Sequence, residues 1–157
     1  MPRLYSVSFS QVLVAAAQDL FQVAGTAGKM LRIRRITISA TDTTAPTAQM
    51  LSFSGVFLPA TVTPGSGGTV PTPQKIDPGD ANPSFTAAVN NTTPAGTSGA
   101  AATVYSGGCH IYNGLDERYA EAAEDIGPGE ADVFKLLSTV TGTVHLSGTI
   151  FVEEIGG

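Results

Sequence analysis

Few side chains in the sequence have the reactivity that catalysis needs: one cysteine, Cys109, and two histidines, His110 and His145. A cysteine and a histidine catalyse acyl transfer when the imidazole removes the thiol proton, which requires the two side chains to meet. Cys109 and His110 are adjacent in a segment that alternates like a strand, so they point to opposite faces. His145 could approach either from another strand, but nothing nearby marks it for that role. We therefore predict no catalytic residues and expect the protein not to be an enzyme.

The remaining candidates for metal or cofactor binding do not fit their motifs. Two histidines and one cysteine at these spacings do not match a zinc site. An acidic cluster lacks the alternating ligands and the glycine turn of a calcium loop; its members are Asp116, Glu117, Glu121, Glu124 and Asp125. Residues 25–30 (GTAGKM) differ from a phosphate-binding loop in spacing and lead into a strand, where that motif requires a helix. We expect neither a metal nor a cofactor.

The composition indicates the scaffold that positions these residues. At 157 residues the chain has the length of one domain. Only 13% of its residues are charged and 42% are hydrophobic, with 18 Gly and 10 Pro. Small, β-branched and turn-forming residues predict an all-β domain with long loops. A lone cysteine excludes an internal disulfide.

The charge excludes some partners and suggests others. A net charge of −5 argues against a nucleic-acid binder. No segment approaches the roughly 18 apolar residues of a membrane span, and the N-terminus lacks the apolar core of a signal peptide, which predicts synthesis in the cytoplasm. The first 75 residues carry six of the 8 basic side chains but only two of the 13 acidic ones. This asymmetry favours self-association or docking on a charged neighbour, with an ordinary solvated surface as the alternative.

Alternation of apolar and polar residues predicts about eight strands. In residues 29–40 neither parity is uniformly apolar, so we expect the buried face to switch at a bulge or edge near Arg34 and Arg35. Residues 144–155 sort cleanly into an apolar and a polar face. Gly107 and Gly108 predict a bulge or a close backbone approach. Residues 13–17 could form a helical turn, and residues 115–125 either a short amphipathic helix or an extended segment.

Two long loops interrupt the strands. Residues 59–84 contain six of the 10 prolines, which predicts an extended Pro/Gly-rich loop or arm. Residues 90–101 form a second long loop. Structureless loops of such length are uncommon in a compact domain and are usually functional or disordered. Uneven strands without βα alternation predict a single-domain β-sandwich, jelly-roll-like, over residues 1–157.

Three segments carry a resemblance to a known class of proteins. They are PGSGGTVPTPQKIDPGDANPSFTAAVNNTT (residues 64–93), IGPGEADVFKLL (126–137) and VHLSGTIFVEEIGG (144–157). Together they resemble small virion proteins of tailed bacteriophages and prophages, of the jelly-roll capsid decoration or cement type. The resemblance implies a protein on the capsid exterior, bound to the major capsid protein, and it supplies no catalytic residues.

From the resemblance and the composition we expect a structural protein that decorates and stabilises a phage capsid as a homo-oligomer, with a trimer favoured. The proline-rich arm could lie along a neighbouring subunit at modest entropic cost. The residues expected at capsid or intersubunit contacts are Lys29, Arg32, Arg34, Arg35, Pro64, Pro71, Pro73 and Lys75.

Two other functions remain as alternatives. One is a receptor- or glycan-binding module of a tail fibre or spike, since jelly rolls serve there too and fold does not determine function. The absence of Trp, with only 4 Tyr and 7 Phe, leaves few rings on which sugars could stack. The other is a small enzyme of the cupin type, which would need a cluster of histidine and glutamate ligands on two strands.

Overall fold

A computed structural model of the chain describes residues 2–26, 28–119 and 125–156. The regular structure of these residues consists of twelve β-strands. In chain order they are β1 (Arg3–Val14), β2 (Gln18–Ala24), β3 (Met30–Ala40), β4 (Met50–Leu58), β5 (Val62–Thr63), β6 (Gln74–Lys75), β7 (Thr86–Asn91), β8 (Gly96–Thr97), β9 (Ala102–His110), β10 (Leu115–Arg118), β11 (Ala131–Leu136) and β12 (Val144–Ile155).

Two five-stranded antiparallel sheets pack face to face. The first sheet has the order β10-β3-β12-β1-β6 and the second the order β7-β2-β11-β4-β9. The pairs β1·β12, β2·β11, β3·β10 and β4·β9 are all hydrogen-bonded, as in one long hairpin whose successive strands alternate between two sheets. This is the arrangement of a jelly-roll sandwich, so the predicted fold is confirmed.

The core lies between the sheets, and its clearest contributor is β12, whose residues alternate between buried and partly exposed along all of its length. In β3 the alternation breaks. Phe151 of β12 faces Arg35 and Val152 faces Ile33, so Arg34 is an extra residue in β3. The predicted change of buried face at this point is therefore confirmed, and it occurs through a bulge.

The two long loops form the tip of the rolled hairpin, between β4 and β9. Within this tip β5 pairs with β8, and single bridges join Ser66 to Thr93 and Thr69 to Val89. The tip also adds β6 beside β1 and β7 beside β2, at the same side of both sheets. The loops predicted as separate features therefore fold together and close one open side of the sandwich.

Part of this tip covers the outer face of the second sheet. A small apolar cluster forms there from Leu58, Ala95, Ala131 and Val133. Buried polar side chains of β2 bind the tip: an Asp19 carboxylate oxygen accepts the Ala95 N–H at 2.7 Å, and the Gln22 side-chain oxygen accepts the Gly65 N–H at 3.0 Å. A Cβ at Gly68 would collide with the backbone of β7, so this approach requires glycine.

Three local predictions need correction or refinement. The helical turn considered for residues 13–17 does not form, because β1 continues to Val14 and the three residues before β2 are not helical. Of the two structures considered for residues 115–125, the extended segment is confirmed for Leu115–Arg118, which form a strand beside β3, and the helix is wrong there; residues 120–124 lie outside the described residues. The register shift of β9 lies at Val104 and not at the glycines, but Gly108 does mark a close approach: a Cβ there would lie 2.6 Å from the Leu51 carbonyl oxygen.

A buried carboxylate fixes the end of the proline-rich arm. Glu154 is 1% exposed and accepts hydrogen bonds from Lys29 Nζ at 2.6 Å and from the Ser84 N–H and hydroxyl at 2.9 and 2.6 Å. Burial alone would raise the pKa of Glu154, but these hydrogen bonds outweigh it and the pKa is lowered. The buried Tyr5 hydroxyl also donates to the Ala81 carbonyl at 3.0 Å. The arm therefore lies along its own domain.

We predict that Glu154→Gln destabilises the fold by about 1.5–3 kcal/mol near neutral pH, because it removes hydrogen bonds to a charged group and leaves Lys29 without its partner. Glu153→Gln, on the opposite face of the same strand, should cost under about 1 kcal/mol. A lowered carboxyl pKa gives stability that is present above the ordinary glutamate value and lost as the pH falls through the lowered one. The difference between wild type and Glu154→Gln in urea unfolding should therefore shrink below about pH 4. Equal losses for both variants would contradict this role for Glu154.

Candidate functional site: the outer face of the first sheet

The outer face of the first sheet brings two of the predicted contact residues into one cleft. This cleft has a volume of about 300 Å³ and is lined by Arg34 and Arg35 at the β3 bulge, Arg118 of β10, Leu4 of β1 and Phe151 of β12. The bulge places two consecutive arginines where a regular strand would place one, because residues 34 and 35 together face the Phe151 region of β12. The cleft thus combines an apolar floor with three guanidinium groups.

Strand register continues this face from the cleft to the arm. Arg118 faces Arg35, Arg35 faces Phe151, Phe151 faces Ser6, and Ser6 faces Gln74 of β6. Residues that face each other across antiparallel strands share one side of the sheet. A single row of side chains therefore crosses all five strands of the first sheet.

The arm residues are divided by the fold. Pro73 and Lys75 line a cleft of about 550 Å³ around β6, and Pro71 precedes it as a partly exposed residue. Pro64 instead lines a separate cavity of about 430 Å³ with β2 and with the turn at Pro128. The structure therefore brings Pro73 and Lys75 to the edge of the first sheet and places Pro64 elsewhere.

The basic side chains of residues 29–35 find acidic partners within the same chain. Arg35 donates two hydrogen bonds of 2.7 Å to the Asp116 carboxylate. These bonds raise the pKa of Arg35 and lower that of Asp116. The other pairs are Lys29–Glu154, Arg34–Glu153 and Arg32–Asp125. The charge asymmetry of the sequence is thus largely matched inside the domain, and two members of the acidic cluster, Asp116 and Asp125, are bound to β3 of their own chain.

Arg118 differs from these residues because, in the part of the chain that the structure describes, it forms no ion pair. Its neighbours at the cleft, Arg34 and Arg35, share theirs with Glu153 and Asp116. The cleft therefore has an excess of positive charge in a chain whose net charge is −5. Sequence reasoning missed Arg118, since its position depends on β10 pairing with β3 instead of forming a helix. Guanidinium groups beside Leu4 and Phe151 suit a carboxylate next to an apolar side chain.

Cys109 and His110 point to opposite faces of β9, as its alternation predicts. Cys109 packs against the core, where burial raises the pKa of its thiol and so disfavours the thiolate. His110 lies on the other side with its ring 5.0 Å from that of Tyr112. His145 pairs instead with Asp42, whose carboxylate lies 2.7 Å from its Nδ1. Among the described residues, no three His, Cys, Asp or Glu side chains group closely enough to hold a metal ion.

Comparison with known proteins adds no relative. No family model matches the sequence, and neither a curated protein nor a solved structure matches it. Over the residues that the structure describes, no helix has the length and apolar character needed to cross a membrane.

We predict that Cys109 reacts slowly with iodoacetamide in the folded protein, because its half-buried thiol has a raised pKa. At pH 8 its alkylation, followed by intact-protein mass spectrometry, should be at least about tenfold slower than in the urea-unfolded chain. Equal rates in the folded and unfolded protein would mean that the thiol is exposed and ionises normally.

Proposed function

We propose that this chain is a structural virion protein that decorates and stabilises a phage capsid by binding the outside of the major capsid protein lattice. The resemblance of residues 64–93, 126–137 and 144–157 to capsid decoration proteins supports the class. The observation that supports a specific docking surface is the arginine-lined apolar cleft on the outer face of the first sheet.

The chemistry of the cleft suits a protein surface with exposed carboxylates. An acidic chain of net charge −5 is repelled at long range by such a surface, so it needs a local positive site to dock. Arg118 offers a guanidinium there that acts on Asp116 only at longer range and forms no ion pair with a described residue. Leu4 and Phe151 provide the apolar contact that gives an interface its affinity, while the charges give orientation and specificity.

The fixed arm also suits docking on a finished shell. Because Tyr5 and Glu154 already hold residues 81 and 84, the arm loses little further conformational entropy when its outer surface meets a neighbour. Gln74 ends the row of side chains that crosses the outer face from the cleft, and Pro73 and Lys75 flank it at this edge of the sheet, so the arm and the cleft could contact one partner. A decoration protein of this kind adds contacts to the lattice without remodelling it.

A homo-oligomer, with a trimer as the expected form, is part of this proposal. Its subunit contacts should not depend on ion pairs between the basic strand and the acidic residues, because Arg32 and Arg35 are paired within the chain. We predict the same mass by light scattering at about 0.1 and 1 M salt, although the screening length falls from about 10 to 3 Å. Dissociation at high salt would contradict this and indicate that neighbouring copies exchange these partners.

The decisive measurement is the stoichiometry of the chain in purified virions, by quantitative mass spectrometry against the major capsid protein. Decoration of the shell predicts a ratio of about one, or a simple fraction of about a third. A handful of copies per particle would place the protein in the tail or portal, and absence from particles would overturn both locations.

The docking face is tested by Arg118→Ala, which should lower occupancy on capsids at least about tenfold at limiting protein, as for loss of a charge-assisted contact. Ser98→Asp is the matched control, because it changes the net charge by the same amount in an exposed loop away from the first sheet. Both variants should unfold at the wild-type urea midpoint. Unchanged occupancy of Arg118→Ala, or equal loss in the control, would exclude the cleft as the docking site.

A further inference from the structure

A second cavity lies at the opposite end of the first sheet and is not used by the proposed docking face. It has a volume of about 570 Å³, within the range of small-molecule sites. It is bounded by the segment after β3 (residues 41–47), by the beginning of β12 and by the β1 bulge. The side chains that line it include Gln11, Thr43, Thr44, Thr47, Thr143 and His145.

The backbone at Gln11 is held in an uncommon conformation beside this cavity. The register of β1 against β12 shifts between Phe9 and Val12, and Gln11 has a φ of 50°. The Gln11 N–H donates to the Ser147 hydroxyl at 2.9 Å, which stabilises the bulge. Left-handed non-glycine residues are costly and are concentrated at functional sites, where bulges redirect side chains. Here the bulge puts Gln11 at the cavity.

His145 is fixed in orientation by Asp42. The His145 Nδ1–H donates to Asp42 Oδ1 at 2.7 Å, and the His145 backbone N–H donates to both carboxylate oxygens at 3.1 and 3.0 Å. Because Nδ1 is used by Asp42, Nε2 is the ring atom available to a ligand. Both Asp42 oxygens are also engaged, so the carboxylate holds the histidine and has little capacity left for a cation.

Most of the threonine hydroxyls around the cavity are left without a hydrogen bond to another protein group. Over the described residues, this holds for the side chains of Thr43, Thr44, Thr47 and Thr143, whereas the Thr41 hydroxyl lies 2.9 Å from that of Ser147. A threonine hydroxyl both donates and accepts, as does a primary amide taken as a whole. Such groups match the hydroxyls of a polyol, which also donate and accept. No lysine or arginine lines the cavity, so a phosphate or sulfate would find no fixed counter-charge.

We propose that this cavity is a binding site for a neutral saccharide of one or two rings, hydrogen-bonded by His145 Nε2, by Gln11 and by the surrounding threonine hydroxyls. Ala45 and Pro46 offer apolar contact to the C–H groups of the ring. Since no aromatic ring lines the cavity, stacking does not contribute and binding is weak, with Kd of about 1–10 mM. The site is independent of capsid decoration and could operate with or without it.

The test is an NMR titration of the ¹⁵N-labelled full chain with D-glucose, D-galactose and N-acetyl-D-glucosamine, each to about 100 mM. We expect saturable shifts for at least one sugar, confined to the amides around Gln11, residues 41–47, Thr143 and His145. The absence of saturable shifts there for all three sugars would overturn the proposal. Equal shifts on addition of sodium phosphate would also overturn it, since they would indicate a site for anions.

Two matched pairs of variants assign the shifts to side chains. His145→Ala should weaken binding at least about tenfold, whereas His110→Ala, which removes the other histidine away from the cavity, should not change it. Thr143→Val should weaken it about three- to tenfold, and Thr141→Val, two residues earlier in the same turn but outside the lining, should not. Thr143 is exposed, so its variant tests the site even if His145→Ala alters the fold. Equal effects within either pair would contradict the assignment.

Discussion

The strict alternation of β12 is the constraint on which the rest of the structure depends. This twelve-residue strand is hydrogen-bonded to β1 on one side and to β3 on the other along nearly its whole length. Its inward residues, from Val144 to Val152, form the centre of the core. A slip of one residue would exchange the two faces, burying Glu153 and exposing the core residues. The register of β12 therefore determines the core and both candidate sites at once.

The same strand explains why one acidic residue is buried. Glu154 continues the inward parity of Val152 beyond the apolar core, at the point where the arm returns to the domain. A buried carboxylate is tolerated only when charged and polar partners surround it, and Lys29 and Ser84 supply them. Its carboxylate thus connects the arm, the segment before β3 and the end of β12 through directional hydrogen bonds. An apolar side chain at this position could not form them.

Features that depend on local alternation could be predicted from the sequence. The faces of β12 and the change of face at Arg34 follow from the spacing of apolar residues within one segment. Val133 could not be assigned to its cluster in this way, because it is buried under the β5·β8 tip and not in the main core. The ion pair of Arg35 with Asp116, which are 81 residues apart, likewise depends on the strand order. Arg118 was missed for the same reason, because its position opposite Arg35 exists only when its segment forms a strand and not a helix.

The edges of both sheets are protected against pairing with strands of other chains. One side of the sandwich is closed by β6 and β7 from the hairpin tip. On the other side, β10 is only four residues long and carries charged side chains, and β9 is interrupted by a bulge at the exposed Val104. Short, charged and bulged edges discourage strand-to-strand pairing with other chains. These edges leave the outer face of the first sheet as the surface to which the proposed docking is assigned.

That face carries two chemistries at opposite ends of one rigid strand. His145 and Phe151 are six positions apart along the extended strand, or about 20 Å, so occupancy of one site does not obstruct a small ligand at the other. Near Phe151 the bulge of β3 concentrates guanidinium groups on an apolar floor. Near His145 the bulge of β1 presents neutral donors and acceptors. In each case a single inserted residue in a neighbouring strand changes which side chains lie beside the outward residues of β12. One sheet therefore carries two chemically different surfaces while its core-facing residues stay in place.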